Sequence, residues 1–187
     1  MEYRIYKNED FDPKTGINEF GKVVDEEIGK TVLFAFYDPA SFEKGGYHCA
    51  MFEADGICIV EFDDIYLDHF KRPYVFAGAV MHELGHLING DSEKLRRNPD
   101  ISEKRKRIWY IENGMVDPKE IKADNFAADQ LGTSMVINAL KYMREARIKN
   151  GREGTDLAVK EFDARIRLLR QRRATEKNLK RKVRENV

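Results

Sequence analysis

Val80-Met81-His82-Glu83-Leu84-Gly85-His86-Leu87-Ile88 contains the pattern H-E-x-x-H. On an α-helix, residues four apart lie one above the other on the same face. His82 and His86 can therefore offer two imidazole nitrogens to one metal ion. Glu83 follows the first ligand and can reach a water bound there. Two His ligands with a neighbouring carboxylate as general base is the arrangement of zinc hydrolases. The chain has four His in all, so a chance match is the reading to be weighed against this one.

The flanking residues fit a helix over 73–88. Pro73 suits a first helical position. Val80, Leu84, Leu87 and Ile88 recur at i, i+4, i+7 and i+8, which predicts a buried stripe. Gly85 costs helix propensity but removes a side chain, so that another backbone can come close. Asn89-Gly90 is a stop signal. Two His on a buried helix need partners, and a metal supplies one.

Tetrahedral catalytic zinc takes three protein ligands and keeps one position open. The third is expected in Asp117-Pro118-Lys119-Glu120-Ile121-Lys122-Ala123-Asp124-Asn125-Phe126-Ala127-Ala128-Asp129-Gln130-Leu131. Asp117 reads as an N-cap and Pro118 as the first helical residue. Glu120 is the expected third ligand. Asp124, one turn on, can hydrogen-bond the outer nitrogen of a ligand His and fix its tautomer. A competing role exists for Glu120, which stands three residues after Asp117, in the capping-box position. Asp124 is then the next candidate, followed by Glu93 or Glu112. A cysteine ligand, Cys49 or Cys58, is disfavoured because neither sits in a Gly-rich ligand turn.

These two segments resemble the ImmA/IrrE family of intracellular zinc metallopeptidases. The residues that carry the resemblance are His82-Glu83-Leu84-Gly85-His86-Leu87 and Glu120-x-x-Ala123-Asp124-x-Phe126-Ala127-Ala128-x-x-Leu131. The resemblance spans residues 30–135 at most and is specific only in the two helices. It implies that His82, His86 and Glu120 bind Zn2+, that Glu83 is the base, and that the substrate is a repressor or regulator protein. The family pattern continues Leu-Leu-Met-Pro, whereas this chain reads Leu131-Gly132-Thr133-Ser134-Met135. The segment is also similar to HtpX-type peptidases, which need membrane helices, and to small soluble gluzincins.

In the remaining chain, Ile17, Phe20, Val24 and Ile28 predict a helix over 17–28. Thr31 to Tyr37 reads as a buried strand. Tyr47 to Glu53 and Ile57 to Phe62 flank Ala54-Asp55-Gly56 and read as a hairpin. That register sets Cys58 opposite Glu53 and Cys49 opposite Phe62, which places the thiols on different rungs and argues against a disulfide. The strand before the metal helix has either a free edge that pairs with an extended peptide or an ordinary place in a sheet. The polar residues 91–107 read as a solvated helical excursion. Residues 133–149 read as a helix ended by Asn150-Gly151.

The length of 187 residues suits one domain with an appendage. Charged residues, at 35%, exceed the usual quarter. Residues 1–140 carry 17 Lys+Arg against 26 Asp+Glu, a net −9, and residues 141–187 carry 16 against 7, a net +9. The expected organisation is a metallopeptidase domain over 1–150 and a basic helical extension over 151–187, solvated and frayed at its end. Weak, non-specific nucleic-acid contact through 157–187 is the functional alternative for the basic run. No apolar run approaches the roughly 18 residues that span a bilayer. Met1-Glu2-Tyr3-Arg4 carries no apolar signal core. A cytoplasmic address and no membrane contact are expected.

The fold expected is α+β and zincin-like. A small mixed or antiparallel sheet packs on the H-E-x-x-H helix and the glutamate helix, with C-terminal helices following. The function expected is zinc-dependent hydrolysis of a peptide bond, with Tyr47, His48, Tyr110 and Tyr142 as candidates to stabilise the oxyanion. The alternatives are a catalytically silent zinc-binding module and a nucleic-acid-associated regulator that uses the basic tail.

Overall fold

The computed structural model describes residues 3–7, 31–37, 49–54, 57–63, 73–91, 93–94, 101–151 and 154–185. At the strands and at residues 73, 74, 76, 101, 103 and 150 the description is of the backbone alone. The helix expected over 17–28 and the turn Asp55-Gly56 lie outside the described residues.

Among the described residues five helices carry the body: α1 Pro73–Ile88, α2 Ile101–Glu112, α3 Pro118–Leu131, α4 Thr133–Asn150 and α5 Thr155–Glu185. Among residues described down to their side chains, 89% are helical and none is in a strand. The expected α+β zincin-like class is therefore corrected to a mainly helical one. The physical reason lies in the C-terminal half. The basic extension over 151–187 reads as a solvated appendage, yet its helix buries Ala164, Ile166 and Leu169 and is part of the body. Every hydrophobic core residue described, apart from Val116, sits on a helix.

The backbone of five strands is also described: β1 Tyr3–Lys7, β2 Thr31–Tyr37, β3 Cys49–Ala54, β4 Ile57–Asp63 and β5 Glu93–Lys94. They pair in the order β1-β2-β4-β3-β5. β3 and β4 are antiparallel, with Cys49 opposite Phe62 and Glu53 opposite Cys58, the register expected of the hairpin. β4, the strand before α1, lies between β2 and β3. Both its edges are taken, so the edge-strand reading for peptide capture does not apply to it.

α1 is the central element. Val75, Val80 and Leu84 are fully enclosed, and Ala77, Ala79, Met81 and Leu87 are buried. A helix apolar on nearly every face must be covered on nearly every face. Burying each large apolar side chain stabilises by about 1.5–3 kcal/mol. Ile88, expected in the buried stripe, is instead 39% exposed at the helix end. Two glycines set how closely α1 is packed. A Cβ built on Gly78 would stand 2.6 Å from Ala139 Cβ on α4. One built on Gly85 would stand 2.8 Å from Ala123 Cα and 3.0 Å from Ala123 O on α3. Close approach through absent side chains brings α3 beside the His face of α1.

Candidate metal centre

α3 begins where its sequence directs. Asp117 caps it, its carboxylate accepting the Lys119 N–H at 3.0 Å, and Pro118 opens the first turn. The cap is thus served by Asp117, and Glu120 is turned elsewhere. Its carboxylate is buried, with Oε2 3.1 Å from His82 Nε2 and Oε1 3.7 Å from His86 Nε2. His82 Nε2 and His86 Nε2 are 3.2 Å apart. His82, His86 and Glu120 form a group able to offer one ligand atom each to a single ion. Neither Asp124 nor Glu112 belongs to that group, and Glu112 is exposed.

Asp124 stands one turn beyond Glu120 and is buried. Its Oδ1 accepts from His82 Nδ1 at 3.0 Å, which leaves Nε2 to face the ligand group. A second outer carboxylate escaped sequence reading. Asn89 and Gly90 close α1, with the Asp91 N–H donating to His86 O at 2.9 Å and Gly90 at φ 71°. This turn folds Asp91 back on the helix and sets its Oδ2 3.7 Å from His86 Nδ1. That buried oxygen makes no hydrogen bond among the described residues. His82 thus has a carboxylate hydrogen-bonded to its outer nitrogen, and His86 has one near its own, beyond hydrogen-bond reach.

The second surprise is Arg165, from the middle of α5. It is 7% exposed. Its Nε donates to Asp124 Oδ2 at 2.8 Å, its Nη2 donates to Asp124 Oδ1, and its Nη1 lies 3.2 Å from Glu120 Oε2. Its Nη2 is 3.0 Å from His82 Nδ1. Arg107, from α2, reaches Glu120 Oε1 at 3.3 Å and holds both oxygens of Glu161 at 3.0 and 3.1 Å. Arg107 belongs to the stretch read as a solvated excursion. One signal for Arg165 was available: it shares a face with Phe162 and Leu169, and a charge on an apolar stripe requires a partner.

These contacts set the protonation of the group. Burial alone would lift the Glu120 carboxyl, but Arg107, the hydrogen bond to His82 and Arg165 hold it well below the usual carboxylate range. Burial likewise opposes ionisation of Asp124, and Arg165 with His82 outweighs it. On His82, burial and Arg165 favour the neutral ring; the hydrogen bonds to Asp124 and Glu120 prevail and raise it to about 9. Burial and the neighbouring His82 push His86 down to about 4.

The donor spacing suits zinc. Ligands at 2.0–2.2 Å around a tetrahedral ion stand about 3.3–3.6 Å apart. The two imidazole nitrogens are 3.2 Å apart, Glu120 approaches His82 with Oε2 at 3.1 Å and His86 with Oε1 at 3.7 Å, and two imidazoles with one carboxylate is a zinc donor set. Glu83, next to His82, is buried on α1. Of the residues weighed for the oxyanion, Tyr47 and His48 lie outside the described residues. Tyr110 stands edge-on to Trp109, ring centres 5.3 Å apart, and Tyr142 is half-buried on α4. The side chains of Cys49, Cys58 and Glu93 are not among those described. No described helix is long and apolar enough to cross a membrane. No family model, curated protein or solved structure matches the chain.

Proposed function

We propose that the chain is a zinc-dependent peptidase that hydrolyses a peptide bond in an intracellular protein. The observation that carries this reading is the convergence of His82, His86 and Glu120 so that each can offer a ligand atom to one ion, beside Glu83 of the H-E-x-x-H helix. His82, His86 and Glu120 would hold the ion. Zinc, when bound, acidifies water and polarises a carbonyl. Glu83 takes a proton from the attacking water and returns it to the leaving nitrogen. Asp124 orients the His82 ring from behind, and Asp91 stands near the outer nitrogen of His86. The resemblance to ImmA/IrrE peptidases points to a repressor or regulator as substrate and to the cytoplasm as the place of action.

The test is a Glu83→Gln chain assayed beside the wild type on an unstructured protein substrate. The variant is expected to keep its zinc and lose hydrolysis by a factor of about 10² or more. An active Glu83→Gln protein contradicts the role given to Glu83.

A further inference from the structure

Glu120 and Asp124 are two carboxylates in a setting that solvent scarcely reaches, at 6% and 3% exposure. Carboxylates so placed persist as anions only with a counter-cation at hand. In a loaded metal site that cation is the metal. In the metal-free chain other cations must serve: the His82 ring, when protonated, reaches both carboxylates, and a group charged at every working pH is needed beside it.

Arg165 meets that need by position. Its planar fork spans both carboxylates at once, Nε and Nη2 on the two oxygens of Asp124 and Nη1 on Glu120. An ammonium, as a point charge, could not bridge them in this way. The side chain is nearly enclosed, and Ala164, Ile166 and Leu169 near it on α5 are buried too. α5 is further tied to α3 by Arg172, whose Nη1 donates to Asn125 O at 3.2 Å and Oδ1 at 3.0 Å. Arg107 is placed differently, because half its side chain is exposed and Glu161 engages it on both oxygens.

We propose that Arg165 is the positioning residue that balances the charge of Glu120 and Asp124 in the metal-free chain, so that the centre is assembled before a metal binds and α5 is part of it. The purpose of the centre rests on the metal reading above; the metal-free balance does not. Arg165 touches no reacting group. It fixes the ligand carboxylate and the carboxylate behind His82. Metal binding then meets a prebuilt site instead of driving its folding.

The test compares melting temperatures of the full-length wild type, Arg165→Met and Arg165→Met/Asp124→Asn, each after dialysis against EDTA and again with added zinc chloride. Without metal, Arg165→Met is expected to melt about 10 °C below wild type or not to fold. Zinc is expected to raise the melting temperature of Arg165→Met at least twice as far as it raises that of the wild type, because the dication replaces the lost charge. The double variant is expected to recover stability over Arg165→Met in EDTA, since one uncompensated carboxylate is gone. An equal loss with and without zinc, together with a double variant no more stable than the single one, overturns the proposal. A wild type that neither binds zinc nor melts higher with it rejects the metal reading instead. The EDTA comparison of single and double variants then still decides the role of Arg165.

Discussion

Gly85 and Ala123 meet backbone to side-chain vacancy: a Cβ on Gly85 would stand 2.8 Å from Ala123 Cα. This contact lies between the two His of α1 and faces the turn of α3 that carries Glu120 and Asp124. Gly85→Ala gains up to about 1 kcal/mol of helix propensity. Against that, the added carbon meets backbone that cannot swing aside, an overpacking cost of about 1–3 kcal/mol. The net expectation is a loss of up to about 2 kcal/mol in urea unfolding of the metal-free chain, with weaker zinc binding. Higher stability contradicts the close approach.

The metal-free chain is expected to lose stability as pH rises from 6.5 to 9. His82 has a folded-state value near 9 against 6.5 when unfolded. A raised value means that the folded state holds the proton more tightly. Its stabilisation is complete below 6.5 and disappears as pH passes through about 9, up to about 3 kcal/mol in all. Zinc competes with that proton, so apparent zinc affinity should rise over the same interval. Urea midpoints across pH 6.5–9 with EDTA and with saturating zinc check this. A flat EDTA profile contradicts the contacts given to His82.

Asp91→Asn is expected to weaken zinc binding about tenfold while leaving the helical far-UV spectrum intact. Carboxylates on the outer nitrogen of a ligand His commonly contribute 10–100-fold to affinity. The 3.7 Å separation of Asp91 from His86 puts the effect at the lower end. Competition against a chromophoric chelator measures it. Unaltered affinity removes Asp91 from the centre.

Much of the site could be read from the chain because its parts are local. The spacing of His82 and His86 is helical geometry, and Asp117-Pro118 fixes where α3 starts and therefore which way Glu120 and Asp124 face. Gly85 announced a close approach, though not its partner. Asp91 was hidden because its placement depends on the left-handed turn at Gly90, which a stop signal marks without aiming the next side chain. Arg165 was hidden in a run of like charges, where only its phase relative to Phe162 and Leu169 distinguishes it. The fold class was misread for the same reason: helices rich in Lys, Arg and Glu bury a narrow stripe, and narrow stripes resemble solvated appendages.

The central claim is that His82, His86 and Glu120 hold one divalent ion together. It is tested most directly by zinc content per chain after EDTA treatment, reloading and desalting, for wild type, His86→Ala and Glu120→Ala. The account predicts one zinc per wild-type chain and little in either variant. A wild type without zinc, or a His86→Ala chain with a full complement, would contradict it.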